Sequence, residues 1–352
     1  MSYLDNIRKV VPYTPGEQPK VEGEIIKLNT NEFPYPPSPM VREALDKLDE
    51  DTLRLYPNIT AGPIVKALSE YYGFEEDEIF VGVGSDDVLA NSFLTFFNSD
   101  KPILFPDITY SFYDVWADLY KIPYKLIPLN EKFEINVEDY YVENGGIVIA
   151  NPNAPTGISL PLSAIEDIVS HNRDVIVIVD EAYVDFGGES AMQLTRKYDN
   201  LLVVQTFSKS RAAAGMRIGY AIGNKILIKY LSDIKFSINS YTMNQMALAA
   251  GVASVKDDKY FKETVTRVIN TRKWVNEELI KLGFNVLNSN TNFVFVSHKD
   301  KSAKEIFEYL KTKNIFVRYF NKPRIDNYLR ITIGTDEQMK KLVDVLSEYL
   351  GE

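Results

Sequence analysis

Residues 175–183 read Val-Ile-Val-Ile-Val-Asp-Glu-Ala-Tyr, and this stretch decides the class of fold. Its first five residues are all apolar and β-branched, which predicts a strand. Because the apolar residues are continuous rather than alternating, both faces of this strand must be covered. Such a strand is typical of a parallel sheet that lies between two layers of helices.

Similar apolar runs, each followed by a turn, recur along the first two thirds of the chain. They are residues 79–83, 102–105, 146–150, 175–179, 201–204 and 218–222. The last run follows its predecessor after a loop that is too short for a helical crossover. We therefore expect a three-layer α/β fold whose mostly parallel sheet contains one antiparallel strand.

The pattern changes from about residue 230. A long amphipathic helix is predicted at 257–281, strands at 292–296, 315–318 and 329–333, and a final helix at 336–350. These elements indicate a second, smaller α+β domain. The predicted organisation is a proline-rich arm (1–40), a large domain (41–245) and a small domain (246–352).

Composition excludes several classes of protein. The net charge of −10 argues against nucleic-acid binding, which requires clustered lysines and arginines. The chain has no cysteine and only two histidines, His171 and His298, so we expect neither disulfides nor a metal site. It also lacks a signal-peptide core and any apolar run long enough to span a membrane, so a cytoplasmic location is expected.

Polar groups follow the apolar runs, at the edge where ligands bind in open α/β sheets. Gly84 and Ser85 follow the first run, with Ser85 interpreted as a helix cap beside N–H groups that attract anions. An ordinary capped helix is the alternative interpretation. Residues 151–157, Asn-Pro-Asn-Ala-Pro-Thr-Gly, form a conformationally restricted loop after the third run.

The strongest chemical signal comes from the next two runs. Asp180 ends a buried strand, where a carboxylate is costly unless it meets a cation or hydrogen-bond donors, although it could also be a simple strand cap. Lys209 follows Thr206 and Ser208, and Arg217 comes eight residues later. An acid, a phenol, an amine and an anion site are the groups required by a pyridine aldehyde cofactor that carries a phosphate.

Three motifs resemble those of the fold-type-I pyridoxal-phosphate aminotransferases. They are Asn-Ala-Pro-Thr-Gly (153–157), Asp-Glu-Ala-Tyr (180–183) and Phe-Ser-Lys…Gly-Met-Arg-Ile-Gly-Tyr (207–220). Further segments narrow the resemblance to the histidinol-phosphate aminotransferases: residues 11–13, 28–32, 55–57, 84–87 and 329–335. The resemblance extends over nearly the whole chain.

The resemblance implies a role for each of these residues. Lys209 would carry pyridoxal phosphate as a Schiff base and act as the base, Asp180 would pair with the ring nitrogen, and Tyr183 would bond the phenolic oxygen. Further cofactor contacts are implied for Ser85, Asp86, Tyr110, Asn153, Thr206, Ser208 and Arg217. The chain would form a homodimer in which the arm takes part in the subunit contact and Tyr56 reaches the partner's phosphate site.

Substrate contacts are implied for Tyr13, Asn31, Arg318 and Arg330. The expected reaction moves the amino group of L-histidinol phosphate to 2-oxoglutarate, since a phosphate needs more donors than one arginine supplies. An exposed ion pair is the alternative interpretation of Arg318. The alternative functions are threonine-phosphate decarboxylation, transamination of aromatic amino acids, and cofactor-dependent regulation without catalysis.

Overall fold

A computed structural model of the protein describes residues 2–19 and 23–351. Residues 1 and 20–22 of the predicted arm, and residue 352 of the predicted small domain, lie outside these ranges. The strands are β1 (Ile26–Lys27), β2 (Ile79–Gly82), β3 (Ile103–Pro106), β4 (Tyr124–Ile127), β5 (Gly146–Ala150), β6 (Val177–Asp180), β7 (Leu201–Thr206), β8 (Gly219–Gly223), β9 (Phe284–Val286), β10 (Phe293–His298), β11 (Ile315–Phe316), β12 (Arg318–Tyr319) and β13 (Leu329–Thr332).

The α-helices connect these strands and cover the sheets. They are α1 (Pro39–Asp46), α2 (Gly62–Tyr72), α3 (Ser85–Phe96), α4 (Tyr113–Tyr120), α5 (Leu162–His171), α6 (Lys225–Ile238), α7 (Gln245–Lys256), α8 (Asp258–Lys281), α9 (Ala303–Thr312) and α10 (Asp336–Leu350). In the described ranges, none of them is both long and apolar enough to cross a lipid bilayer.

The large sheet has the order β2-β8-β7-β6-β5-β3-β4. Only β8 runs antiparallel to its neighbours β2 and β7, while the other pairs are parallel. Alternate residues of β6 enter the two apolar layers, with Val177 and Val179 in one and Ile178 in the other. The expected three-layer α/β fold with one antiparallel strand is therefore confirmed.

One strand of this sheet, β4, was not predicted. It lies at the edge, and its central residues Lys125 and Leu126 are exposed. Because two adjacent residues of β4, which point to opposite faces of the sheet, are exposed, its sequence lacks the continuous apolar run that marks the buried strands.

The C-terminal part contains a four-stranded antiparallel sheet, β12-β13-β10-β9. The single strand predicted at 315–318 is in fact two strands, because β11 pairs in parallel with β1 of the arm whereas β12 pairs with β13. The short edge strand β9 was also missed. The arm is thus attached to the C-terminal part by main-chain hydrogen bonds.

The packing of α7 bears on the division of the chain into domains. Ala247, Leu248 and Val255 of this helix lie in the apolar layer of the large sheet. The following helix, α8, instead contributes Val265 and Val268 to a separate C-terminal core. We infer that the small domain begins after α7, about ten residues later than the boundary expected at residue 246.

Candidate active site

The carboxyl ends of β2, β5, β6 and β7 meet around a cavity of about 200 Å³, here called the site cavity. Parallel strands place their carboxyl ends at one edge, and β8 reverses direction to fill the gap between β2 and β7. Nine of the residues implied as catalytic or cofactor-binding line the cavity: Ser85, Asp86, Tyr110, Asp180, Tyr183, Thr206, Ser208, Lys209 and Arg217.

Lys209 lies just beyond the end of β7 and is partly buried. Its Nζ atom is 5.6 Å from the centre of the Tyr183 ring. Both side chains line the site cavity, so an amine nucleophile and a phenol face the same enclosed space.

Asp180 is the last residue of β6 and is almost fully buried. Its Oδ2 accepts a hydrogen bond from the Tyr113 hydroxyl at 2.8 Å, and its Oδ1 accepts one from the Ala182 N–H at 3.2 Å. Burial raises the pKa of Asp180 to about 6, although these two donors oppose the shift. Tyr113 was missed in the sequence, since no pattern links it to a residue 67 positions away.

The Tyr183 hydroxyl has a partner that was assigned another role. Asn31 Nδ2 donates to it at 2.8 Å, while Thr332 Oγ1 donates to Asn31 Oδ1 at 3.1 Å. The Asn31 side chain is therefore buried with both of its polar atoms hydrogen-bonded, and it lines neither this cavity nor the neighbouring one of about 410 Å³. The expectation that Asn31 contacts substrate is not supported by this geometry.

Asn153 also lies away from the cavity. Its carboxamide accepts from Thr109 Oγ1 at 2.8 Å and donates to the Ile108 carbonyl and Thr156 Oγ1 at 2.9 and 3.0 Å. Ala154 occupies the cavity wall instead. The hydrogen-bonding groups of Asn153 are thus used inside the loop, and the cofactor contact implied for this residue stays a prediction.

One end of the cavity is suited to an anion. Helix α3 begins at Ser85, and the first N–H groups of a helix have no partner inside it. Gly84, with a φ of 84°, is the N-cap residue, so Ser85 is not the capping residue that was expected. A side chain at Gly219 would meet the Gly84–Ser85 backbone at 2.3 Å, which explains the glycine at that point of β8.

Cationic and hydroxyl groups complete this anion site. Arg217 Nη2 is 3.6 Å from the Asp86 carboxylate, and Thr206 Oγ1 lies 3.0 Å from Ser208 Oγ. The Tyr110 hydroxyl donates to Asp86 at 2.8 Å, which fixes the Tyr110 ring in the cavity wall. Asp86 thereby holds both Arg217 and Tyr110 in place.

A second cavity of about 410 Å³ contains Tyr13 and Arg318. Tyr13 stacks on Phe112 with ring centres 4.1 Å apart. Arg324 also lines this cavity but binds Asp107 at 2.8 Å and the carbonyls of residues 129 and 130. Arg324 is therefore committed to holding the surrounding loops together.

Arg318 and Arg330 are directly opposite each other on β12 and β13. Their side chains share a face of the sheet, and like charges in this position repel. Arg330 donates to the Asn29 carbonyl at 3.0 Å, but its Nε is buried without a partner. Burial lowers the pKa of Arg330, and in the described part of the chain no carboxylate pairs with either arginine.

Tyr56 is outside both cavities of its own chain. Its side chain is 80% exposed and stacks on Tyr241 with ring centres 4.5 Å apart. The nearby Leu53 and Leu55 are also exposed. Tyr56 is therefore an exposed aromatic side chain beside exposed apolar residues, and it is accessible to a second subunit.

Comparisons with known proteins agree with this architecture. The family model for aminotransferase class I and II matches residues 23–346. The chain is 53% identical to histidinol-phosphate aminotransferase 1 of Hydrogenovibrio crunogenus, over 98% of this chain and 96% of that protein. It is 51% identical to the histidinol-phosphate aminotransferase of Lactococcus lactis subsp. cremoris, over 99% and 98%.

A solved structure shows the same fold. The histidinol-phosphate aminotransferase of Sinorhizobium meliloti, in complex with pyridoxal-5′-phosphate, superposes with a TM-score of 0.85, over 93% of this chain and 92% of that one, at 22% identity. The fold, the motifs around Lys209 and the full-length relatives agree. The chain belongs to the class I and II aminotransferases and, within them, to the histidinol-phosphate aminotransferase family.

Proposed function

We propose that the protein transfers the amino group of L-histidinol phosphate to 2-oxoglutarate, forming imidazole acetol phosphate and L-glutamate, with pyridoxal phosphate as cofactor. The observation that carries this proposal is the pair Arg318 and Arg330, two facing cations. Arg330 interacts electrostatically with Tyr183 and Tyr110, which line the cavity that contains Lys209. A phosphorylated amine is the kind of substrate that would need both an anion site and an amine-handling site.

The residues of the site cavity fit the cofactor. Ser85, Ser208 and Arg217 would hold its phosphate, and Asp180 would face its ring nitrogen. Pyridoxal phosphate, when bound, supplies an aldehyde for the amino group and a ring that accepts the electron pair released at the substrate carbon. The buried Asp180 carboxylate supports this assignment, because its orientation is held by donors while its remaining lone pairs are left for the cavity.

The protein side chains divide the remaining work. Lys209 would act as the base through its Nζ atom, moving a proton between the substrate carbon and the C4′ carbon of the cofactor. Asp180 would stabilise positive charge on the ring nitrogen, and Tyr113 would keep that carboxylate oriented. Tyr183 would donate its hydroxyl hydrogen to the phenolic oxygen, and Tyr110 would cover the ring face.

Replacing Arg318 by leucine tests the choice of substrate. In single-turnover reactions with histidinol phosphate, the apparent second-order rate constant of the variant should be about tenfold or more below that of wild type. The reason is that a charged hydrogen bond is worth ~1.5–3 kcal/mol. The corresponding half-reaction with glutamate should lose less, because Arg330 alone can bind the α-carboxylate. Stopped-flow measurement of each amino donor gives both values.

Arg42→Leu is the control for this experiment, since Arg42 lies on an exposed helical surface. Equal losses for both donors would show that Arg318 supports the site in general, and no loss would count against a phosphorylated substrate. Product analysis tests the alternative functions. Release of carbon dioxide would identify a threonine-phosphate decarboxylase, and a preference for aromatic amino acids would identify an aromatic amino-acid aminotransferase. Binding of cofactor without turnover would indicate a regulator.

We also infer a homodimer in which Tyr56 completes the partner's phosphate site. Tyr56→Phe should weaken cofactor binding by about tenfold, the value of one charged hydrogen bond, without changing the sedimentation coefficient of the dimer. Mixing Tyr56→Phe subunits with Lys209→Ala subunits should restore one intact site per hybrid dimer. Cofactor titration and activity at low cofactor concentration measure these effects.

Tyr141→Phe serves as the control, because the Tyr141 hydroxyl binds Asp167 on a surface helix. A fully active monomer in sedimentation would disprove the shared site. So would hybrids that show no more activity than the two parent variants.

A further inference from the structure

We propose that Asn31 is a positioning residue that orients the Tyr183 hydroxyl toward the cofactor and ties it to strand β13. The proposal rests on the proposed function, since it assigns Tyr183 to the cofactor's phenolic oxygen. It gives Asn31 a role that involves no contact with substrate.

Asn31 is held at four points. Its N–H donates to Thr332 Oγ1 at 3.0 Å, the same hydroxyl donates back to Asn31 Oδ1 at 3.1 Å, and Asn292 Nδ2 donates to the Asn31 carbonyl at 3.0 Å. The fourth bond runs from Asn31 Nδ2 to Tyr183 Oη. The backbone of Asn31 is left-handed, with a φ of 57°, a conformation that asparagine tolerates better than most residues.

The direction of the bond to Tyr183 has a chemical consequence. A tyrosine hydroxyl has one hydrogen and two acceptor sites. Because Asn31 donates to Tyr183 Oη, the hydroxyl hydrogen is not used by Asn31 and can point into the site cavity. The Thr332 hydroxyl accepts from the main-chain N–H of Asn31 and donates its own hydrogen to Asn31 Oδ1. The oxygen of the Asn31 side-chain amide therefore faces Thr332, and its Nδ2 group faces Tyr183.

The same network connects two parts of the site. Thr332 and Arg330 are two residues apart on β13, so their side chains leave the same face of the strand. The strand that carries the anion-binding arginine therefore also holds Asn31, and Asn31 holds Tyr183.

The test compares cofactor affinity in wild type, Asn31→Gly, Asn31→Asp, Tyr183→Phe and the double variant Asn31→Gly/Tyr183→Phe. Glycine removes the side chain without straining the left-handed backbone. We expect Asn31→Gly to raise the dissociation constant for pyridoxal phosphate about three- to tenfold, the value of one hydrogen bond. Asn31→Asp should be worse, because a carboxylate cannot donate and would draw the Tyr183 hydrogen away from the cavity.

The double variant decides the route of the effect. In the Tyr183→Phe background, Asn31→Gly should change the dissociation constant less than about twofold, because non-additivity marks residues that act through each other. The pH at which the visible absorption band of the bound cofactor changes should also differ from that of wild type, and by more in Asn31→Asp than in Asn31→Gly. Thr332→Val should reproduce part of the effect, with Thr332→Ser as the matched control that keeps the hydroxyl.

An equal effect of Asn31→Gly in both backgrounds would overturn the proposal, and so would a milder effect of Asn31→Asp than of Asn31→Gly. Thermal unfolding within a few degrees of wild type confirms that each variant is folded. Failure of the proposed function is distinguishable, because it would appear in the wild type as absence of cofactor binding or as turnover of a different substrate.

Discussion

Lys209→Ala should abolish measurable transamination, with a loss of roughly a thousandfold or more. The amine is both the attachment point for the cofactor and the base that moves the substrate proton, and general acid–base catalysis alone contributes ~10²–10⁴. Borohydride reduction of the wild type should fix pyridoxal phosphate on Lys209 and on no other lysine. Peptide mapping of the reduced protein, together with steady-state rates, measures both effects.

The control is Lys229→Ala, which removes an exposed lysine whose contacts with Asp233 and Tyr230 lie on its own helix. That variant should keep the wild-type rate. Recovery of the reduced cofactor on a different lysine would disprove the assignment of the whole site. Added primary amines such as methylamine should restore part of the Lys209→Ala rate, since they can supply the missing base.

Asp180→Asn should lower turnover by about 10²–10³ while weakening cofactor binding far less. An amide cannot stabilise positive charge on the ring nitrogen, and loss of one preorganised electrostatic group typically has this magnitude. The phosphate anchors at Ser85 and Arg217 remain intact, so most of the affinity is retained. Rates at saturating cofactor and a cofactor titration separate the two effects.

The pKa of Asp180 adds a pH dependence to this prediction. Burial raises this pKa to about 6, so the carboxylate of the cofactor-free protein takes up a proton as the pH falls through that value. A protonated Asp180 cannot pair with a protonated ring, so wild-type cofactor affinity should fall below about pH 6. Asp180→Asn should lack this pH dependence of cofactor affinity, whereas the exposed control Asp233→Asn should retain it. Near-normal turnover in Asp180→Asn would instead show that Asp180 only caps its strand.

The central strands and the chemical groups at their ends were predictable from sequence. Continuous apolar runs mark buried strands, and a polar residue directly after such a run lies at the ligand-binding edge where the strand is one of the parallel set. This reasoning placed Asp180, Lys209 and Arg217 in one cavity, where the structure has them. The edge strands β4 and β9 escaped it because short, half-solvated strands lack the same signal.

Contacts between distant parts of the chain were decided only by the tertiary structure. Tyr113 meets Asp180 across 67 positions, and Asn31 meets Thr332 across 301. Which way Asn31 and Asn153 turn depends on the partners available to each amide, because a buried amide must be satisfied where it lies. Residue type and local order therefore determined the chemistry of the site, whereas the folded packing determined which polar groups face the cavity and which hold the others in position.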